Sequence, residues 1–559
     1  MASFPSTTEP QENTWVSVKR QQTRELDSLP IIDRSLIDYS RYHQFIGHAG
    51  VKYSMAVQAT RGCPYRCFYC DIYKTTEFHF RRSDENLIDE IKVLADLGVK
   101  RVEFIDDIFN VNSKQFIRFF EFVIKNNLDM KFFFPTGLKG DLLTKDMIDL
   151  MVEGGAVGVN LSLEHAAPRM QEVMRKNLNV DVLHENLTYI AKNYPQVIIT
   201  LNAMHGFPTE TEDEANMTLD FIKSINWIDF PYLHNVRIFP GTELEHFALE
   251  VGVPREIIEA SQDMSYHEIA PTLPFSREFT SGIRTKFVRD YVLNKDRLKS
   301  VIPRQLEQFS VEELDQKYNS YFPTKRIKSL ADVLKLAGLK WEDVKPAKQF
   351  DEADVAIPNI YSDCKEKFSA PKKYKPEIDL LLIDMSSYFS DDFDNREYNV
   401  LEPPLGLMAL QSYVDRALEG RVSAKLTKSR IDFDSFEELV AMIRKRNPDL
   451  IGFRAMTFYK GFFHDAIKAI RDAGIDTPII AGGPYPTASY EEVLANDGVT
   501  MVAIGEGEQT LVDVLQIMLE NGNELPDQEQ LKTLPGIAFK MDMIPGTAAR
   551  GQEQMHALT

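Results

Sequence analysis

Cysteine is scarce in this 559-residue chain: there are four, alongside three tryptophans and 11 histidines. So few cysteines exclude a disulfide-built scaffold. Positive charge is also in short supply, because 64 lysines and arginines face 84 aspartates and glutamates and leave a formal net charge of -20. A general nucleic-acid or anionic-membrane surface would repel such a chain, so a small-molecule substrate is the more natural expectation. No apolar run is long enough to span a bilayer, and the polar N-terminus has neither the basic start nor the apolar stretch of a signal peptide. Reduced thiols then fit a cytoplasmic setting. Apolar residues, at 43%, are plentiful enough to fill real cores, and at about 100 to 200 residues per domain the length implies two to four compact units.

Three of the four cysteines fall within eight positions, in the run Thr60-Arg61-Gly62-Cys63-Pro64-Tyr65-Arg66-Cys67-Phe68-Tyr69-Cys70. Such clustering points to a metal. A cubane iron-sulfur cluster normally takes four thiolates, so three in one loop leave an iron open to a substrate or cofactor. The alternatives are zinc and a disulfide. Structural zinc wants four closed ligands, and no second Cys or His pair is present because Cys364 lies far downstream. Cys364, with no metal-ligand neighbour close in sequence, reads as incidental, and the lone His79 and His205 read as packing or hydrogen-bonding residues.

The C-x3-C-x2-C spacing, the preceding Thr-Arg-Gly and the aromatic before the last cysteine resemble the signature of radical S-adenosylmethionine (SAM) enzymes. The resemblance implies a 4Fe-4S cluster on Cys63, Cys67 and Cys70 whose open iron chelates SAM, and places Tyr69 near the adenine; the bland alternative is a loop aromatic that covers the cluster.

Strands alternate with helices from Tyr53 onward, at 53 to 59, 101 to 105, 130 to 134, 157 to 163, 197 to 203 and 236 to 239, with Ser83 capping a helix to Leu97. This alternation predicts a parallel sheet with ligands at its carboxyl ends. Several strand ends carry elements similar to the same family. Asp106-Asp107-Ile108-Phe109 looks like its acidic element beside SAM, which gives Asp107 a cofactor role; a pair of turn-capping aspartates is the alternative. Ser162-Leu163-Glu164 resembles its Glu-bearing strand. Gly206-Phe207-Pro208-Thr209-Glu210-Thr211 is close to a Gly-Phe-Pro-Gly-Glu-Thr element, with Gly206 allowing close backbone approach and Thr209 expected to cap the next helix. Arg81 and Arg82, on the lead-in to a helix, are expected to be solvated.

A second alternation begins near Glu377. The strand candidate Ile378 to Asp384 is followed by Pro403-Pro404-Leu405-Gly406-Leu407 opening a helix, by Asp449 to Arg454, by Pro478-Ile479-Ile480-Ala481-Gly482-Gly483-Pro484, and by Gly505-Glu506-Gly507-Glu508. These elements, in this order, resemble the cobalamin-binding domain of cobalamin-dependent radical SAM enzymes. The resemblance puts Thr457, Gly482, Gly483, Gly505 and Glu506 at the cofactor. No Asp-x-His-x-x-Gly motif offers cobalt a histidine, and the loop after Asp384 leaves the cobalt's lower face to water or an apolar side chain. A flavodoxin-like fold that binds no corrin is the alternative.

The expected fold class is α/β: a partial (β/α)6 barrel of radical SAM type plus a doubly wound, Rossmann-like parallel-sheet domain for cobalamin. The expected divisions are a tail and linker-like segment over 1–50, the barrel over 51–293, a helical extension and linker over 294–375, the cobalamin-type domain over 376–545, and a flexible tail over 546–559. The family usually places the cobalamin domain first, so the order reads as permuted or as a piece of a longer arrangement. The resemblance implies C-methylation of an unactivated carbon on a small molecule, with an electron donor such as flavodoxin or ferredoxin and no catalytic side chain assigned. Cyclisation or rearrangement with the same parts, a cobalamin-free radical SAM oxidoreductase, and a metal-stabilised scaffold are the alternatives.

Overall fold

The computed structural model describes residues 15–17, 23–42, 51–72, 78–263, 274–322, 327–356, 361–368, 370, 372–391, 401–496 and 498–540. The tail expected to be flexible over 546–559 lies outside the described residues. The strands are β1 (Trp15–Ser17), β2 (Ser54–Val57), β3 (Thr60–Arg61), β4 (Phe80–Arg81), β5 (Arg101–Phe104), β6 (Lys131–Leu138), β7 (Ala156–Glu164), β8 (Ile198–His205) and β9 (Phe230–Asn235). In the C-terminal half they are β10 (Ile378–Asp384), β11 (Val422–Lys428), β12 (Leu450–Arg454), β13 (Ile479–Gly482), β14 (Met501–Ala503) and β15 (Ile537–Lys540).

Six strands, β2-β5-β6-β7-β8-β9, form one sheet in chain order, every neighbour parallel. Its outer strands β2 and β9 do not pair with each other, so it is a partial barrel. The crossover helices are cut cleanly by their sequences. Ser83 accepts the Asn86 N–H at the start of Asp84–Asp96, and Thr211 with Glu214 closes a reciprocal capping box on Glu212–Lys223. Thr209, expected as that cap, instead sits two residues earlier at φ +69°. The last strand also differs from expectation: Val236 to Phe239 is loop, and β9 occupies Phe230–Asn235. Pro231 inside that run argues against a strand, but it is tolerated because β9 is an edge.

The segment expected as an extension is built into the barrel domain at least as far as Val344, through a shared apolar core. Arg297 is fully buried and donates to the Ile228 and Val292 carbonyls, and Arg304 forks onto both oxygens of Asp229 at 2.7 Å. Together these contacts tie the helices after β9 to the amino end of the sheet. Cys364 is buried in the same core.

The second sheet runs β1-β15-β14-β13-β12-β10-β11. Its five strands β11-β10-β12-β13-β14 are parallel and follow the 2-1-3-4-5 order of flavodoxin-like doubly wound folds. Separate apolar clusters cover its two faces, one of them continuous with the core of the barrel. Two antiparallel strands extend it. β15 returns beside β14, and β1 pairs with β15 so that Trp15 faces Lys540. Thus residues 15 to 17 of the expected N-terminal tail belong to the C-terminal sheet. A three-residue strand leaves no periodic trace in sequence, which is why it was invisible there.

Between β1 and the barrel, residues 23 to 42 run along the seam of the two domains. The Asp33 N–H donates to Ser412 Oγ, Asp27 accepts the Ser83 N–H, and Arg34 donates to Glu90 and to the Ala56 carbonyl. Arg82 binds the other oxygen of Glu90. Its side chain is only 11% exposed, so the expectation of a solvated Arg82 is corrected. Burial would raise the Glu90 carboxyl, but the two guanidinium groups outweigh it and hold the pKa low.

Candidate functional site

The cysteine loop leaves β3 and is anchored at its start. Asp106, fully buried after β5, accepts from the Ala59 N–H at 3.1 Å and the Thr60 hydroxyl at 2.6 Å. Asp107 accepts the Gly62 N–H at 2.9 Å. The acidic pair is thus divided: Asp106 does the capping, while Asp107 fixes the residue before Cys63 and faces a cavity. Burial raises Asp106 to about 7 against the hydrogen bonds that lower it.

Cys63, Cys67 and Cys70 are free and half-buried. Among the described residues no three His, Cys, Asp or Glu side chains converge closely enough to hold a single metal ion. Burial pushes Cys63 up to about 11 and Cys70 up to about 12, so ligation depends on the charge of the metal to draw off the protons.

Beside this loop, Lys176 Nζ donates to Glu164 Oε1 at 2.9 Å and to the Tyr69 hydroxyl at 3.2 Å. Burial pulls Lys176 down, but Glu164 and Cys67 outweigh it and leave it raised. Glu164 ends β7 with a left-handed φ of +61°, which turns the chain sharply at the rim. Tyr69 packs edge-on against Phe207. Gly206, at φ +92°, donates to Glu210 Oε2, as does the Phe207 N–H. The other oxygen of Glu210 meets His165 Nε2 at 2.9 Å. Because the Ala167 N–H donates to His165 Nδ1, the proton sits on Nε2 and is donated to Glu210. His165 is therefore a brace for the Gly206 turn. Asp107, Glu164 and Gly206 lie at the carboxyl ends of β5, β7 and β8, and Tyr69 lies in the cysteine loop.

The loops of the second sheet face this rim across an open cavity of about 330 Å3, a volume typical of ligand pockets. Arg61, Gly62 and Asp107 line one side, and Gly482, Gly483, Gly505 and Glu506 line the other. Thr457 does not: it is buried at the start of a short 3-10 turn. The two central glycines do different work. Gly483 has φ +98°, and a Cβ there would meet the Ala455 carbonyl at 3.0 Å; a Cβ on Gly482 would meet only Ala503, at 3.8 Å. Gly483 is needed by the fold, whereas Gly482 keeps space open.

At the ends of β10, β11 and β12 there is an ion cluster. Asp384 receives Lys428 at 3.1 Å and Arg454 at 3.2 Å. Burial would raise Asp384, but these two cations hold it well below the usual carboxylate range. Arg454 also lines the cavity, a charged contribution that the sequence reading missed.

The domains are joined beside the cavity by Arg61, which binds Glu508 at 2.6 Å and lies 3.6 Å from Glu506. A second bridge is aromatic: Phe458 lies under the Arg237 guanidinium at 4.5 Å and edge-on to Phe239. Arg61 was visible as part of the Thr-Arg-Gly run, but its partner stands 447 residues away in the chain. No local pattern could have paired them.

Comparison with known families agrees with this division. Residues 57–222 match the radical SAM superfamily and residues 396–515 match the B12 binding domain. The chain therefore carries a radical SAM domain with a B12-binding domain C-terminal to it. The first implies a 4Fe-4S cluster and SAM, and the second implies cobalamin. An uncharacterized methyltransferase of Pyrococcus horikoshii is 26% identical over 278 residues, 48% of this chain and 56% of the relative. The tRNA-2-methylthio-N(6)-dimethylallyladenosine synthase of Aquifex aeolicus is 24% identical over 36% of this chain and 47% of its own length. The chain thus spans about half the length of these curated relatives. Among solved structures, the radical SAM methyltransferase TsrM of Kitasatospora setae, with cobalamin and a [4Fe-4S] cluster bound, is 16% identical over 35% of this chain and 36% of that one, with a TM-score of 0.32. The cobalamin-dependent radical enzyme OxsB is 13% identical over 57% and 53%, with a TM-score of 0.30. Among the described residues no helix is long and apolar enough to cross a membrane.

Proposed function

We propose that this chain is a cobalamin-dependent radical SAM enzyme that transfers a methyl group to an unactivated carbon of a small molecule. The observation that carries the reading is the shared cavity, in which Gly62, next to the first cluster cysteine, and the glycine loops of the B12-binding domain line one space. When bound, the cluster with SAM supplies a carbon-centred radical and cobalamin supplies a transferable methyl group. An electron donor such as flavodoxin or ferredoxin belongs to the same proposal.

The work left to the protein is positioning and exclusion of water. Cys63, Cys67 and Cys70 would hold the cluster, on a loop that Asp106 and Asp107 fix from below. Glu164 and Lys176 form a charged rim beside Tyr69, suited to the polar groups of SAM. Gly482 leaves room for a large flat ligand to approach the backbone. The bridges through Arg61 and Phe458 hold the two halves together beside that space.

The test is anaerobic reconstitution with iron, sulfide and hydroxocobalamin, followed by desalting and assay of bound iron and corrin. Near-stoichiometric retention of both is expected, and would justify a substrate search by transfer of label from methyl-labelled SAM. A cluster retained without corrin would sink the cobalamin half and leave cobalamin-free radical chemistry. Labelled product from neither cofactor combination, with a substrate otherwise consumed, would favour rearrangement over methyl transfer.

A further inference from the structure

The two faces of β7 and β8 are built from different residues. Val159, Leu161 and Leu163 on β7, and Ile199, Leu201 and Ala203 on β8, are apolar and buried. The alternate residues face the lumen of the partial barrel: Ser162, Glu164, Thr200, Asn202 and Met204 are half-buried, and Asn160 is buried. Barrel interiors are ordinarily packed with branched apolar side chains, so a polar and accessible inner face is space kept for a ligand that makes hydrogen bonds. Toward the amino ends of the strands the space shrinks to about 30 Å3 between Asn160, Thr200, Phe230, Phe309 and Lys317, which leaves the carboxyl-end half as the usable room.

Two amides in this lumen are locked in one orientation. Asn160 Nδ2 donates to the Pro135 carbonyl at 2.7 Å, and because a carbonyl can only accept, Asn160 Oδ1 must face the other way. There it accepts from Asn202 Nδ2 at 3.1 Å. Asn202 cannot flip without setting two oxygens against each other, so its own Oδ1 points away from Asn160. Among the described residues that oxygen has no donor, and it is not one of the buried atoms left unpaired, so it is open to the lumen. In the sheet Asn202 stands level with Ser162 on one side and Tyr232 on the other.

We propose that the lumen takes a small polar substrate whose N–H or O–H group is received by Asn202 Oδ1, which makes Asn202 a specificity-determining residue. This inference names the substrate class of the methyl-transfer reading above and rests on it. A carbonyl or ether oxygen at the same place would set lone pair against lone pair, so amines and alcohols are favoured over ketones and ethers. The Tyr232 and His234 rings, stacked at 5.4 Å on the same face of β9, give the rest of the molecule an aromatic wall.

The experiment gives the cluster- and cobalamin-loaded protein SAM, dithionite and one of two perdeuterated isomers, butan-1-ol or diethyl ether, and reads deuterium in 5'-deoxyadenosine by mass spectrometry. Both probes have a C–D bond beside oxygen, and only the alcohol has a donor. The radical made from SAM takes one deuterium atom, and the carbon radical left on the probe is quenched by an electron from dithionite and a proton from water. Wild type is expected to prefer butanol by about tenfold, and Asn202→Leu to lose that preference. An unchanged preference overturns the proposal. If the leucine variant does not fold, Asn160→Ala serves instead: it frees the Asn202 amide to turn, and the preference should again fall, with no change counting against the proposal. Loss of SAM retention in Asn202→Leu would assign the oxygen to SAM and overturn the substrate role. Wild type that makes 5'-deoxyadenosine without deuterium from either probe overturns this inference alone, whereas no 5'-deoxyadenosine at all overturns the radical reading with it.

Discussion

The two carboxyl-terminal rims that meet in this molecule are built on opposite principles. The barrel rim is crowded with side chains that each have an assigned partner: Asp106 on Thr60, Asp107 on Gly62, Lys176 on Glu164, His165 on Glu210. The glycine loops of the second sheet instead supply absence, with Gly482 and Gly505 leaving space. A metal cluster needs ligands held in place, whereas a large planar cofactor needs walls without side chains. Substitutions should therefore fail differently on the two sides: removal is damaging at the first and addition at the second.

The largest expected effect follows from removal. Replacing Cys63, Cys67 or Cys70 by Ala should abolish cluster-dependent SAM cleavage and lower bound iron, while corrin retention persists; full cleavage in any single variant would sink the cluster assignment. Addition at Gly482 comes next. Gly482→Val should weaken corrin binding by tenfold or more and leave iron content unchanged, since its Cβ meets only Ala503 and the rest of the side chain enters the cavity. By contrast, Gly483→Ala should lower thermal stability even without corrin, because the residue has φ +98° and a carbonyl 3.0 Å from the new Cβ. If the two glycine variants behave alike, the distinction between fold and space is wrong.

The seam can be probed more gently. Arg61→Ala leaves Glu506 and Glu508, each 8% exposed, without their shared cation, and should cost about 3 kcal/mol in denaturant unfolding. A change below about 0.5 kcal/mol would mean the bridge is only a surface contact. The smallest effect concerns pH. Asp106 is raised by burial to about 7 from an ordinary value of 3.8, so its contribution to stability is full below pH about 4 and is lost as pH rises through about 7. The stability advantage of wild type over Asp106→Asn should narrow across that window. A constant difference between the melting temperatures at pH 4.5 and 7.5 would contradict it.

Legibility in the sequence followed distance along the chain. The Ser83 cap and the strand-helix alternation are local, and apart from β9 they appear in the structure where their residues placed them. Pro231 hid β9, because a proline reads as a strand breaker unless the strand is known to be an edge. Thr209 was expected as the cap, whereas the capping box with Glu214 is made by Thr211. The glycine pair at 482 and 483 looks uniform in sequence, yet backbone angle and neighbours divide it.

What the sequence by itself determined is the set of local parts: three cysteines in one loop, two runs of parallel strands alternating with helices, and glycines at strand ends. These depend on residues a few positions apart, where propensity, capping and periodicity act. Only the tertiary structure decided how the parts face one another. It set β1 on the edge of the distant sheet, closed Arg61 on two carboxylates more than 440 residues away, and buried Arg82. Such pairings are chosen by burial and charge compensation between surfaces far apart in the chain, and no local pattern encodes them.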